Sequence, residues 1–237
     1  MITNILIQRV QSLYSKGVQS DDSRLTPRHI YNKLLTVKNR LTYEKLNKKQ
    51  MLSRWSYQTI QCVILVKVPA YDCPCIPAFG CSVWRTKSRL PRPIVSINEH
   101  MIKSVTSIDG AVQFSETTWE AQKYKSGNKY TAYKPDYYLY DGYMYFTGKN
   151  LPTTVSITGL FEDPLSIYDM EAYCDGTAVE DCLSPLDRDF PIDAEDVEPL
   201  IQLTIQELIG IFSQRPQDIL NNALDDIMPT PTNTRRT

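Results

Sequence analysis

Residues 191–224, PIDAEDVEPLIQLTIQELIGIFSQRPQDILNNAL, decide how the rest of the chain is read. Asp193 suits a helix N-cap, and Asp193, Glu195, Asp196 and Glu198 crowd the first turn, where the helix dipole favours negative charge. Val197, Leu200, Ile201, Ile205, Leu208, Ile209 and Phe212 then recur at spacings of three and four, one apolar side along ~30 Å of helix. Pro216 cannot continue a helix interior but suits the first turn of a new one, so Ser213 is placed to cap a second short helix, RPQDIL. A stripe of that length has to be covered by something.

Working outward, the other end of the chain supplies candidates. Ile2, Ile5, Leu6, Val10, Leu13 and Tyr14 share one side of a first helix that stops at Gly17. Thr26 caps a second helix with Pro27 in its first position, bearing Ile30, Leu34, Val37 and Leu41 on one side. Its opposite side carries Arg28, Lys33, Lys38, Arg40, Lys45, Lys48 and Lys49, which is either a solvated face or a track for phosphates.

Between these ends the period changes to two. From Tyr57, Ile60, Cys62, Ile64, Val66 and Val68 alternate with Thr59, Gln61, Val63, Leu65 and Lys67, a strand apolar enough to be buried on both sides. Short β-type runs follow near Val83–Lys87 and Ile94–Ile97. SVTSIDGAVQF and YYLYDGYMYF then read as hairpins turning at Asp109–Gly110 and Asp141–Gly142, where a two-residue type I′ turn is favoured. A last strand spans Thr153–Phe161. Six to eight closely spaced strands imply antiparallel pairing. The expected fold is α+β: a helical module from the N- and C-terminal segments with an antiparallel β-sandwich or small barrel between them. The expected boundaries are 1–56 for the N-terminal helices, 57–162 for the β domain, 163–190 for an acidic connector, and 191–237 for the C-terminal helices and a Pro/Thr-rich tail.

The 237 residues carry a net charge of −1 that conceals a gradient. Lys and Arg outnumber Asp and Glu by 11 to 3 over residues 1–60 and by 11 to 7 over residues 61–160, and are outnumbered by 17 to 4 over residues 161–237. A basic end and an acidic end can neutralise each other within one chain, or can meet head to tail between copies. No apolar run reaches the ~18 residues that span a bilayer, and Asn4, Gln8 and Arg9 interrupt the N-terminus where a signal peptide would be apolar, so a cytoplasmic product is expected.

Chemistry is sparse. Cys62, Cys73, Cys75, Cys81, Cys174 and Cys182 are expected to be reduced thiols. Cys73, Cys75 and Cys81 could offer three thiolates to zinc, but C-x-C is not the usual knuckle spacing, and no metal is assigned. His29 and His100 have no reason to converge on a nucleophile, and Asp175, Glu180 and Asp181 lie in a polar connector with nothing to tune them. There is no Gly-rich phosphate loop. No catalytic residue and no cofactor is expected, and the chain is not read as an enzyme. Two binding functions remain as alternatives: a carbohydrate-binding module using Tyr137, Tyr138, Tyr140, Tyr143 and Tyr145, which serve cross-strand packing equally well, and a nucleic-acid-binding module using the basic helix.

Several phrases together carry a resemblance: LTPRHIYNKLLTVKNRL (25–41), LNKKQMLSRWSYQTIQCVILVKVPA (46–70), CPCIPAFGC (73–81), SVTSIDG (104–110), ITGLFEDP (157–164) and RPQDIL (215–220). Over roughly residues 25–225 the chain resembles the virion neck proteins of crAss-like gut bacteriophages, which are ring or head-to-tail connector proteins. The resemblance implies a structural role. Copies would form a ring on the dodecameric portal, meet other neck or tail ring proteins, and continue a channel for passing DNA toward the tail. It also implies assembly in the host cytoplasm, residence in the virion, no membrane partner and no enzymatic residues. On that basis a basic N-terminal face meeting the acidic C-terminal face of the next copy is expected to glue the ring, and acids between Asp163 and Glu198 are expected to line the channel.

Overall fold

Where the period-two run begins, the chain enters a closed barrel. The computed structural model describes residues 1–15, 25–69, 82–96, 101–118, 120–121, 124, 130, 134–168, 170 and 184–213. Its strands are β1 (Gln58–Pro69), β2 (Ser82–Thr86), β3 (Ile102–Ser107), β4 (Gln113–Glu116), β5 (Asp136–Tyr140), β6 (Tyr143–Thr147) and β7 (Thr154–Gly159). Around the barrel they run β1-β2-β6-β5-β4-β3-β7, and β7 closes onto β1. Among the described residues the segment near Ile94 forms no named strand; it carries isolated bridges, one of them between Pro93 and Phe161, and Ile94 N–H bonds to Leu160 O. All pairs are antiparallel except β4 and β5, which run parallel with Ser115 opposite Asp136. Parallel neighbours need a long return connection, and the residues between Glu116 and Asp136 provide one.

β1 serves both halves of the barrel. Its first part pairs with β7 from Gln58 to Ile64, and its second part pairs with β2 from Leu65 to Pro69. The register shifts between Ile60 and Val63, and Cys62 sits there at φ 59°. This is a bulge, and one extra residue turns every following side chain to the other face. The barrel core therefore takes Ile60, Val63 and Leu65, not the unbroken series Ile60, Cys62, Ile64 expected from strict alternation. Val105, Tyr137, Met144, Val155 and Ile157 complete that core, with Phe114 edge-on to Phe146 at 5.0 Å. Cys62 is disulfide-bonded, which departs from the expected reduced thiols; the other five cysteines lie outside the described residues.

The two Asp-Gly turns differ. At the β5–β6 tip Asp141 (φ 48°) and Gly142 (φ 75°) both take the left-handed conformation that a type I′ turn demands. At the β3–β4 tip only Gly110 does (φ 72°). The loop is longer there because Ser107 N–H bonds to Val112 O, and the Asp109 carboxylate accepts from Ala111 N and from the Ser107 hydroxyl. A side chain that supplies its own turn hydrogen bonds removes the need for a two-residue turn.

The helices α1 (Thr3–Tyr14), α2 (Pro27–Asn47) and α3 (Val197–Ser213) share a second core of Leu6, Val10, Ile30, Leu34, Leu200, Ile201 and Leu208. Thr26 caps α2 as expected, accepting from His29 N, with Pro27 in the first turn. In α1 the buried side is Thr3, Leu6, Ile7 and Val10, so Ile2, Ile5 and Leu13 face outward, rotated from the stripe read off the sequence. In α3, Leu200, Ile201, Thr204 and Leu208 are buried while Ile209 is exposed. The architecture is α+β, with terminal helices and a seven-stranded barrel between them. Gly17 and the segment after Ser213, including RPQDIL, lie outside the described residues.

Candidate functional site

The basic side of α2 does not wait for another copy. Lys33 Nζ and Arg40 reach Glu207 at 3.6 and 3.0 Å, and Lys45 Nζ reaches Glu195 at 2.8 Å and Asp196 at 2.6 Å. These pairs set α2 antiparallel to α3, and Arg9 of α1 adds a bond to Glu198 at 2.8 Å. Lys33 and Arg40, on the basic face expected to meet the next copy, thus already pair with Glu207 inside the chain. Adjacent helices meet before any partner does, at far higher effective concentration. Arg28, Lys48 and Lys49 are exposed and form no ion pair among the described residues.

Asp193 was expected to cap the helix, but its side chain makes no cap bond to the following turn. It is buried instead, accepting from the hydroxyls of Ser53 and Ser56 (2.7 Å for Ser56) and from Ser53 N at 3.3 Å, with Lys45 Nζ at 3.9 Å. Burial alone would push this carboxyl up; the two serine hydroxyls, the Ser53 N–H and the Lys45 charge outweigh it and hold it below the usual carboxylate range. Burial likewise acts to lower the Lys45 amine, but its bonds to Asp196 and Glu195 prevail and raise it. The turn Arg54–Ser56 at the entrance to β1 is therefore tied to the start of α3. Asp193, Glu195 and Asp196 lie close enough to share a cation, yet Lys45 already supplies the positive charge.

A second clasp joins α2 to the barrel exit. Tyr31 Oη donates to Asp163 at 2.7 Å, Lys38 Nζ to Phe161 O at 2.8 Å, and Asn39 Nδ2 to Glu162 O at 3.2 Å. Three side chains of one helix thus hold three consecutive residues after β7. Lys38 is only 4% exposed. Burial pushes its amine down to about 7, against the opposing charges of Asp163 and Glu162. Burial, and then the Asp163 carboxylate, push the Tyr31 phenol well up. Asp163, Asp193 and Asp196 are committed to these internal contacts; among the described residues of this region, Asp187, Asp189, Glu195 and Glu198 face solvent.

The tyrosine hairpin is mainly a packing device. Tyr137, Tyr138 and Tyr145 are buried, and Tyr138 stacks on Tyr145 across the strands at 5.2 Å and 13°. Only Tyr140 and, in part, Tyr143 reach the surface, and Arg85 covers the Tyr143 ring at 4.3 Å. That leaves no flat run of rings for a sugar. His29 is exposed, with Nδ1 3.0 Å from the Thr26 hydroxyl that caps the same helix. His100, Cys73, Cys75, Cys81, Asp175, Glu180 and Asp181 lie outside the described residues.

What periodicity did not reveal is a groove of about 680 Å³ where helices and barrel meet. Met1, Trp55, Tyr57, Ile167, Phe190 and Val197 contribute to its lining. Trp55 is 80% exposed, and nearby Met51 is 96% exposed. Lys103 Nζ lies 4.4 Å over the Tyr57 ring and the Arg188 guanidinium 3.6 Å over Tyr168, so two aromatic walls are topped by cations. An apolar floor with a charged rim is the composition of a macromolecular docking surface. The signal in the sequence was Met51, Leu52 and Trp55, apolar residues in the short linker between α2 and β1.

Comparison with known proteins bears on which kind. A family model described as phage tail ring protein 2 matches residues 5–227. Ring protein 2 of Bacteroides phage crAss001 is 28% identical over 221 residues, covering 89% of this chain and 92% of that protein.

Proposed function

This chain belongs to the phage tail ring protein 2 family, and on that premise we propose that its ring sits in the head-to-tail connector below the portal and continues the DNA channel toward the tail. It is a structural ring component of a phage virion. The observation that carries the reading is the family match across residues 5–227, which takes in both cores and the groove between them. In this reading copies associate with one another as a dodecamer, with the portal above, other ring proteins below and DNA passing through, and no step of chemistry is assigned.

The fold suits that role. A barrel has no open strand edges to pair at random, and the clasps at Lys38 and Asp193 fix the helices against it, so each subunit is stiff enough to tile. Cryo-electron microscopy of purified virions tests it. Density for a closed ring of this chain directly below the portal is expected. A ring placed elsewhere in the tail would overturn the connector placement, and absence from the particle would overturn the structural reading itself.

A further inference from the structure

We propose that the ribbon from Lys87 to Arg92 holds the backbone of duplex DNA, with the guanidinium N–H groups of Arg89 and Arg92 donating to phosphate oxygens. This rests on the reading above, in which DNA passes through the ring, and names the surface that meets it. Residues 82–96, SVWRTKSRLPRPIVS, carry Arg85, Lys87, Arg89 and Arg92 and no acid. Leu90 and Ile94 are buried, Leu90 in the barrel core, while Lys87, Arg89 and Arg92 are exposed. Three backbone bonds pin the ribbon to the barrel: Lys87 N–H to Ile64 O at 2.9 Å, Leu90 N–H to Gly142 O at 2.8 Å, and Glu162 N–H to Arg92 O at 2.9 Å. The cations thus stand on a fixed backbone, and groups fixed in advance lose less freedom on binding.

The guanidiniums are positioned as well. Arg85 and Arg89 lie 4.3 and 5.5 Å over the Tyr143 ring. Arg89 pairs with Asp141 at 3.2 Å and Arg92 with Glu162 at 3.3 Å, and both pairs are open to solvent. Such pairs contribute little to folding, so a phosphate draws either guanidinium away at small cost, and the planar fork of arginine fits phosphate oxygens two at a time. Even with Asp141 and Glu162 counted against Arg85, Lys87, Arg89 and Arg92, the patch stays positive. A hollow of about 510 Å³ lined by Arg89, Arg92, Pro93, Val95, Tyr140 and Asp141 leaves room beside the two arginines. From Lys87 to Arg92 the chain spans at most ~18 Å, a length over which one strand of a duplex offers about five phosphates. The exposed cations of α2 do not gather in this way, since Arg28 and Lys48 stand at its opposite ends, ~30 Å apart.

Fluorescence anisotropy of a labelled, mixed-sequence duplex of about 30 base pairs, titrated with full-length protein over a salt series, tests this. The wild type is expected to bind with an affinity that falls steeply as salt rises. Arg89→Gln/Arg92→Gln should lose roughly tenfold or more in affinity near about 50 mM salt, and should flatten the slope of log affinity against log salt by ~1.8, two phosphates at ~0.9 each. Both side chains are exposed and lie outside the barrel core, so unchanged thermal unfolding is expected. Arg89→Lys/Arg92→Lys keeps both charges and should keep the slope, and Arg28→Gln/Lys48→Gln on α2 should bind as the wild type does. A Gln pair that binds like the wild type, a Lys pair that loses the slope, or loss of binding in the α2 variant instead would overturn the proposal. Equal affinity for polyglutamate of matching charge would overturn it too, because the ribbon's partner is then an acidic protein. So would a Gln pair that no longer self-associates in native mass spectrometry, which makes the ribbon a contact between copies. DNA binding that needs Arg89 and Arg92, in a protein that never self-associates with or without the portal, would sink the ring reading and leave the contact standing; a ring whose DNA affinity the Gln pair leaves untouched does the reverse.

Discussion

Replacing Lys38 with Met should remove most of the pH dependence of folding between about pH 7 and pH 9. The amine is buried against Phe161 O at 2.8 Å, and burial lowers it to about 7 although Asp163 and Glu162 pull the other way. In the unfolded chain it returns to its ordinary value of 10.5. Between those two values the unfolded state binds more protons than the folded one, so stability rises with pH. Below the folded value both states carry the proton and the slope vanishes. One pH unit contributes at most ~1.4 kcal/mol, and the slope is about half of that at the folded value, so the gain across the window is ~2 kcal/mol. The Tyr31 phenol near this amine is pushed up by burial and by Asp163, away from the window. Urea unfolding followed by circular dichroism at three pH values gives the measurement. The wild-type midpoint should climb with pH and that of Lys38→Met, similar in length and uncharged, should stay level. Parallel curves for the two proteins, or a wild type that weakens as pH rises, would refute the reasoning.

Other outcomes follow from the same contacts. Asp193→Asn should cost ~1–3 kcal/mol at neutral pH, because it unbalances the bonds from Ser53, Ser56 and Lys45. The carboxyl is held below its ordinary value, so its contribution is present above that value and is lost as pH falls through the lowered one; urea titrations at neutral and acid pH should therefore show the two proteins converging in acid. Tyr138→Ala should cost ~3–5 kcal/mol because it empties a buried stack, while Tyr140→Ala at the surface should cost under ~1 kcal/mol, and neither should alter binding to a glycan array. Glu207→Gln removes two partly exposed ion pairs and should cost ~1 kcal/mol or less, with the difference shrinking as salt is added to a thermal unfolding series.

Much of the architecture was written in periodicity. The cap at Thr26, the hairpin at Asp141–Gly142 and the α+β division rest on local chemistry, and local chemistry is what a sequence displays. The departures arise where a distant partner intervenes. Alternation along β1 looked unbroken because Cys62 and Val63 are both apolar, so a bulge between β7 and β2 left no mark in the pattern. Asp193 has the identity and place of a cap, and only Ser53 and Ser56, some 140 residues away, claim it. The outward rotation of Ile5 and Leu13 depends on where Leu200 and Ile201 sit beneath α1, which no spacing within α1 encodes. The charge gradient was legible as a gradient, but its resolution within one chain required the helices to be placed side by side. The groove was least legible of all, since its lining comes from four separated stretches.

A ring component has to self-associate, alone or on a template. Native mass spectrometry of the full-length protein, alone and mixed with its portal ring, measures that directly. A discrete species whose mass is an integral multiple of 27.2 kDa, or such a multiple added to the portal, is the predicted result. A 27.2 kDa monomer at every concentration, indifferent to the portal, would contradict it.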